Sequence, residues 1–482
     1  MGRASRNAPR HGEPRVKPRR VLCAALIGAA SLSAGCAVYF YAAPPARHRA
    51  HPARSAVGKA LDYLEATQVR EPVRGFAGGG DWPGNWPQYI WLPAFGLRVR
   101  DVSPFIPAAI HACLGYVEGA ARKGQAGLAA RDAERARTMQ ARAAAFLRRF
   151  EATGEGIPPG AIAYWPPASA ARACRRPWLS ALRGDWLISP LVVPIVRGPC
   201  PFGAFAPLNV PQLPRRFGVM PDADTSSVVS AALIDEAQAT GAPPWRPPLE
   251  AFAAWRDLGH VPLRYPAAWL ERPSGLFLTW FGGAVNDLDL VVNANVLYLL
   301  GRCGALDLPG AAEAVAALNR HAGRATQETP RDPSVLYYPN RFALHGAVAR
   351  AYVQGPVPAL RPAVERLAQD IEERAQRRPD GTVVWDCGAP DLDTAIAVLV
   401  LAGCRRSPEL ARGGARYLLR TQNRTTGAWS DCDLASGRTE SGLNLLWRSR
   451  AMTTATALFA LVATRVEFGE EMPNDRPRHE GE

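Results

Sequence analysis

Apolar positions fall into two kinds of run that alternate along the chain. The first kind is amphipathic. In 361–376 (RPAVERLAQDIEERAQ), Val364, Leu367, Ala368 and Ile371 recur at helical spacing, with charges on the other positions. Segments 56–68, 130–150, 247–258, 310–323 and 407–421 follow the same pattern. The second kind is apolar almost all round: 104–117, 225–236, 289–301, 341–353, 393–403 and 452–463. A helix with no polar face must be buried on every side. Six helices of each kind in strict alternation predict an all-α fold, an (α/α)6 toroid in which six buried helices form an inner ring and six amphipathic helices wrap it. The apolar runs of this body are shorter than the ~20 residues a helix needs to span a bilayer. Strand signals are sparse.

One segment breaks the pattern. Residues 21–44 (VLCAALIGAASLSAGCAVYFYAAP) carry no charge, and Tyr39, Phe40 and Tyr41 stand at their far end, where an aromatic belt forms. They follow a tail, 1–20, with seven basic side chains against Glu13 alone. The expectation is one N-terminal transmembrane helix, a retained signal anchor in contact with the lipid bilayer. The positive-inside rule then leaves 1–20 in the cytoplasm and the C-terminal domain outside it. A cleaved lipoprotein signal ending at Cys36 and a twin-arginine signal at Arg19-Arg20 are competing readings. The implied domains are the tail 1–20, the anchor 21–44, a linker 45–56, a toroid 57–467 and a polar, frayed tail 468–482. A Pro-rich, apolar insertion at 151–221 interrupts the toroid, and its length suits a lid or binding loop.

Charge and composition narrow the function classes. The chain has 482 residues and a formal net charge of +14. Much of that excess flanks the apolar segment, with Arg47, Arg49 and Arg54 on its other side. This reads as membrane topology, and no nucleic-acid partner is expected. Hydrophobic residues at 48% and charged residues at 21% exclude wholesale disorder, and the 43 Gly and 44 Pro without a triplet period exclude collagen. Nine cysteines occur without a Cys-x-x-Cys pair. Cys174 and Cys200 are the nearest candidates for a disulfide in one loop, and free buried thiols are the alternative.

Candidate chemistry lies in the turns that lead into the buried helices. Gly-x-Trp recurs as Gly80-Asp81-Trp82 and Gly427-Ala428-Trp429, with looser forms at Gly160…Trp165, Gly275…Trp280 and Gly381…Trp385. Acidic starts follow: Asp222-Ala223-Asp224-Thr225, Asp287-Leu288-Asp289 and Asp391-Leu392-Asp393-Thr394. An Asp at a helix start is first of all a cap. In a toroid, however, all inner helices begin on one face. Asp101, Asp222, Asp224, Asp287, Asp289, Asp391 and Asp393 would then ring one mouth, with Trp82, Trp165, Trp280, Tyr338, Trp385 and Trp429 nearby. Asn293 and Asn295 interrupt an apolar helix and must either bond to neighbours or line a cavity. His111 and His345 lie on inner helices, where core packing is the ordinary role.

The stretch Gly414-Ala415-Arg416-Tyr417-Leu418-Leu419-Arg420-Thr421-Gln422…Gly427-Ala428-Trp429 resembles the QW repeat of the squalene–hopene cyclase and protein prenyltransferase superfamily. A second copy runs from Leu61-Asp62-Tyr63-Leu64 through Gln68 to Gly80-Asp81-Trp82. The resemblance implies an (α/α)6 toroid and a terpenoid cyclase-like activity on an isoprenoid or other apolar substrate. Class II members protonate an alkene with the middle Asp of D-x-D-D. Asp222-Ala223-Asp224-Thr225 resembles that motif incompletely. In one alignment Asp224 takes the proton-donor place and Thr225 replaces the last Asp; in the other Ala223 stands where the acid should be. The prenyltransferases hold zinc through Asp, Cys and a later His. Asp431-Cys432 is similar to the first two, but the only later His is His479 in the tail, so no metal and no cofactor is expected.

The catalytic candidates are therefore Asp224, assisted by Asp222. The substrate-binding candidates are Asp287, Asp289, Asp391, Asp393, Asn293 and the aromatic set at the mouth. Two other classes compete. An exported carbohydrate-active toroid would use two carboxylates flanking one glycan bond. A non-catalytic toroid would bind a lipid or protein partner.

Overall fold

The computed structural model describes residues 54–71, 82–93, 97–153, 157–164, 221–282, 285–323, 334–438 and 444–469. The anchor 21–44, most of the insertion 151–221 (with Trp165, Cys174 and Cys200), Asp81 and the tail beyond 469 lie outside the described residues.

Among the described residues, twelve α-helices follow in chain order. They are α1 (Ala56–Thr67), α2 (Phe105–Arg122), α3 (Ala130–Leu147), α4 (Ala223–Thr240), α5 (Leu249–Ala254), α6 (Leu290–Arg302), α7 (Ala311–His321), α8 (Ala343–Val353), α9 (Arg361–Glu373), α10 (Pro390–Gly403), α11 (Pro408–Thr421) and α12 (Arg450–Phe468). The even-numbered helices coincide with the all-apolar runs. Each packs against the next, α2 to α4 and so on to α12, and α12 returns to pack on α2. Of the odd-numbered helices, α1, α3, α7, α9 and α11 pack outside the even-numbered ones on one or two inner neighbours. This closed inner ring with an outer ring is the expected toroid. The side-chain pattern explains the assignment. In α6 every residue from Leu290 to Leu300 is buried, whereas α9 buries only the stripe from Ala363 to Ile371.

Among the described residues, α12 is the one helix long and apolar enough to cross a membrane, with a mean hydropathy of 1.2. It is the last inner helix, and 67% of its apolar window is buried within the protein. Its hydrophobicity thus serves the core.

The fold is mostly helical, but it contains a four-stranded antiparallel sheet that sparse strand signals did not announce. Strands β1 (Gln88–Leu92), β2 (Leu97–Asp101), β5 (Asp433–Arg438) and β6 (Asn444–Arg448) pair in the order β2-β1-β6-β5. A two-residue hairpin, β3 (Gln376–Arg377) with β4 (Val383–Val384), stands apart. In the larger sheet Tyr89 faces Arg448 and Trp91 faces Leu446, so the segment leading into α2 is joined to the one leading into α12. The sheet therefore covers the seam between the first and last turns of the ring. The strands are formed by segments some 350 residues apart, which is why local pattern hides them.

Two glutamines clamp the outer ring. Gln68, at the end of α1, donates through Nε2 to Gly84 O (3.3 Å) and to Met139 O of α3 (2.8 Å). Gln422, at the end of α11, donates to Gly427 O and to Ala56 O of α1, both at 2.8 Å. In each case the Trp two places after the glycine sends its indole N–H back to the preceding outer helix: Trp86 to Leu64 O and Trp429 to Leu418 O, both 2.8 Å. Both glycines adopt positive φ and lie so close to the neighbouring helix that a Cβ would sit 2.0 Å from Arg142 O or 2.3 Å from Lys59 O. The partner of Gln68 is thus Gly84-Asn85-Trp86, four residues beyond the Gly80-Asp81-Trp82 read from the sequence.

Candidate active site

The starts of the inner helices are stitched to one another around one end of the ring, and the acids do most of the stitching. Trp447, before α12, donates to Asp101, before α2, at 3.1 Å. Asp289 caps α6 by accepting from Val291 N and Val292 N, and its other oxygen accepts from Leu336 N (2.7 Å) and Tyr337 N (3.2 Å), ahead of α8. Asp393 accepts from Asn340 Nδ2 (2.6 Å), also ahead of α8, and from Cys387 N and Ala389 N of its own turn. Asp391 accepts from the Ser430 N–H and hydroxyl, on the approach to α12. The predicted gathering of acidic tips at one mouth is therefore present, and backbone N–H donors occupy several of them.

Asp222 caps α4 by accepting from Thr225 N at 2.6 Å. This fixes the first turn on which Asp224 stands. Asp287 is fully buried and accepts from the Trp280 indole (2.9 Å) and the Tyr337 hydroxyl (2.6 Å), with the Arg264 guanidinium 4.0 Å away.

Asp224 is the least buried of these acids. Like that of Asp287, its carboxylate accepts from side chains alone: Asn295 Nδ2 of α6 on Oδ1 (2.6 Å) and the Tyr338 hydroxyl on Oδ2. Burial pushes its carboxyl above the usual carboxylate range, against the two hydrogen bonds and the Arg350 guanidinium, which favour the ionised form. Asp289 is pushed up to about 7, first by burial, with its N–H donors opposing and the Asp224 carboxylate adding to the rise. The acid that senses Asp224 is thus Asp289, on the next inner helix. The Tyr338 hydroxyl is raised well above its ordinary value by burial and by Asp224, so it stays a neutral donor.

Aromatic groups surround this corner. Trp280 meets Tyr337 edge-on at 6.2 Å, Tyr338 lies 6.3 Å from Phe105 of α2, and Tyr164 meets Trp447 at 6.1 Å. Trp82 is half-buried under the Arg149 guanidinium, 4.8 Å from its ring. The structure does not bring two of the expected aromatics here. Trp385 and Trp429 are buried in the core, with Trp385 bonded to Ile371 O at 2.7 Å, and both brace an outer helix. Asn293 is likewise spent on structure: its amide joins Phe277 N, Phe277 O and Asp289 O. The histidines serve the interhelical core, His345 against Asp370 at 3.0 Å and His111 near Glu236.

Sequence reasoning left three residues out of the site. Asn295 was visible as a polar interruption of an apolar helix. Arg350, within the apolar α8, donates to Asn295 Oδ1 and stacks over Tyr298 at 4.9 Å. An arginine in a helix buried on most sides was the signal for it. Tyr337 had no signal, because its partner Asp287 is 50 positions away.

No family profile and no curated protein matches the chain. Solved structures do. The chain is similar to the type II terpene cyclase MstE from Scytonema in its ligand-free form, with 14% identity over 84% of this chain and 96% of that one and a TM-score of 0.46. A variant of that enzyme solved with geranylgeranyl dihydroxybenzoate, described as its substrate, matches at 14% identity over 85% and 96% with a TM-score of 0.44. The ent-copalyl diphosphate synthase from Streptomyces platensis matches at 17% identity over 93% of this chain and 99% of that chain, with a TM-score of 0.26.

Proposed function

We propose that this toroid is a terpenoid cyclase-like enzyme that takes an isoprenoid or other apolar substrate into its inner ring and protonates it with Asp224. The observation that carries the reading is the Asp224 carboxyl: partly buried, raised in pKa, and free of the backbone N–H donors that occupy Asp289, Asp391 and Asp393. A neutral carboxylic acid beside aromatic rings suits alkene protonation. The acid O–H bond breaks, a C–H bond forms on the alkene, and the positive charge passes to carbon, where ring faces of the Trp280 and Tyr338 kind stabilise it. Loss of a proton from the cyclised cation restores the balance. Asp222 supports this by holding the first turn of α4. The other mouth acids act as ties between helix starts, which disfavours a glycan hydrolase, since that chemistry needs a second carboxylate across the bond.

Residues 21–44 are proposed to anchor the toroid in the bilayer, with the helical body outside the cytoplasm. The basic residues 1–20 support this orientation. Reporter fusions after residue 56 and at the C-terminus would test it: periplasm-type activity at both is expected, and cytoplasmic activity overturns it.

The activity test is direct. The full chain incubated with squalene and with polyprenyl diphosphates should yield cyclic products, and Asp224→Asn should lower turnover by about 100-fold or more. Because Asp224 must be protonated, the rate should fall as pH rises through its raised pKa. No product across the panel, or full turnover by Asp224→Asn, refutes the reading.

A further inference from the structure

Arg350 has no role in the chemistry described so far, yet its placement fixes a proton. It is carried by α8 and points among inner-ring side chains, with its guanidinium stacked 4.9 Å from the Tyr298 ring centre. One of its terminal nitrogens donates to Asn295 Oδ1, and Asn295 Nδ2 donates to Asp224 Oδ1 at 2.6 Å. An amide can be reversed end for end, but here only one orientation is possible. Arginine has donors only, so it must face the amide oxygen. The amide NH2 must then face the carboxyl. The reverse orientation would set NH2 against guanidinium and oxygen against carboxylate, losing both bonds.

We propose that Arg350 is a positioning residue which, through Asn295, holds Asp224 Oδ1 as a permanent acceptor and so confines the acidic proton to Oδ2, on the Tyr338 side. The proposal deepens the acid-catalysis reading and rests on it for its functional meaning. The carboxyl has two oxygens and one proton. With Oδ1 committed to the Asn295 N–H, the proton that leaves in catalysis departs from Oδ2. Tyr338, whose hydroxyl is both donor and acceptor, is the group that can turn to release it.

The charged and titratable groups facing Asp224 are few. Arg350 comes from α8, Asp289 from the start of α6, and Tyr338 from the approach to α8. On the α2 and α3 side, His111 and Arg137 are directed at Glu236, farther along α4. Removing Arg350 therefore leaves Asp224 with one acidic neighbour and no cation among these groups.

The test reads Asp224 itself, independently of turnover. The full chain is labelled with 13C-aspartate, and the Asp224 carboxyl is followed by difference infrared titration against Asp224→Asn. Arg350→Met should raise the Asp224 pKa by about one unit, because the cation and the fixed donor are both lost. Arg350→Lys keeps the charge and should restore most of the wild-type value. Should Arg350→Met fail to fold, Asn295→Ser carries the same test. It keeps Arg350 but removes the donor, and should also raise the pKa and shift the C=O stretch of the protonated form. A folded Arg350→Met or Asn295→Ser that titrates as the wild type does overturns the proposal. The two failures are distinguishable: if the shifts occur but no substrate is cyclised, the relay stands and the acid-catalysis reading falls.

Discussion

The ring is closed by an approach of two backbones, and that approach can be measured. Gly427 has φ 75°, and a Cβ added there would lie 2.3 Å from Lys59 O and 2.6 Å from Lys59 C. Carbon and oxygen do not tolerate such distances, so α1 would have to retreat from the end of α11 by about 1 Å to regain ordinary contact. The retreat breaks the two bonds by which Gln422 joins Gly427 O to Ala56 O. A left-handed Ala costs about 1 kcal/mol, each lost buried bond about 1 kcal/mol, and the overpacking about 1–3 kcal/mol. Gly427→Ala should therefore lower unfolding stability by about 4–6 kcal/mol.

The control is Gly241→Ala. Gly241 has φ 67° with nothing within 4 Å of the added Cβ, so only the conformational cost of about 1 kcal/mol applies. Urea unfolding of the full chain, followed by far-UV circular dichroism, compares the two. A double-mutant cycle with Gln422→Ala should show strong non-additivity, because both changes break the same bonds. If Gly427→Ala costs no more than Gly241→Ala, the close approach does not hold the ring, and the account of its closure is wrong.

Two further outcomes test the mouth and the core. Asp289→Ala removes the acceptor of four backbone N–H groups, two in the α6 cap and two in the segment that presents Tyr338, and should cost at least about 3 kcal/mol in urea unfolding; a loss under 1 kcal/mol would sink the view that this acid is a structural tie. Glu236 is held down at about 2 by His111, 3.9 Å away, and by two bonds from Arg137. Its folded pKa lies below the unfolded value of about 4.3, so its contribution is present above that value and is lost as pH falls toward 2. Glu236→Gln should therefore be less stable at pH 7 and show a flatter loss on acidification, read from urea midpoints between pH 7 and pH 3.

The periodicity of the chain by itself determined the twelve helices and their sorting into two rings. Burial leaves a local imprint: a helix surrounded by protein has no polar face, as α6 and α10 show, and one against solvent keeps a stripe, as α9 shows. The alternation then admitted one closed arrangement, and with it the collection of Asp222, Asp224, Asp287, Asp289, Asp391 and Asp393 at one end. What those acids do was decided only in three dimensions. A cap and the proposed proton donor have the same residue type and the same place at a helix start. They differ in their partners, and the partners of Asp224 stand 71 and 114 positions away. The same holds for the sheet over the seam, for the pairing of Gln68 with Gly84 and Trp86, and for Arg350 setting the direction of Asn295. Each depends on which distant segments the closed ring places within about 3 Å, the reach of a hydrogen bond, and local sequence carries no record of that distance.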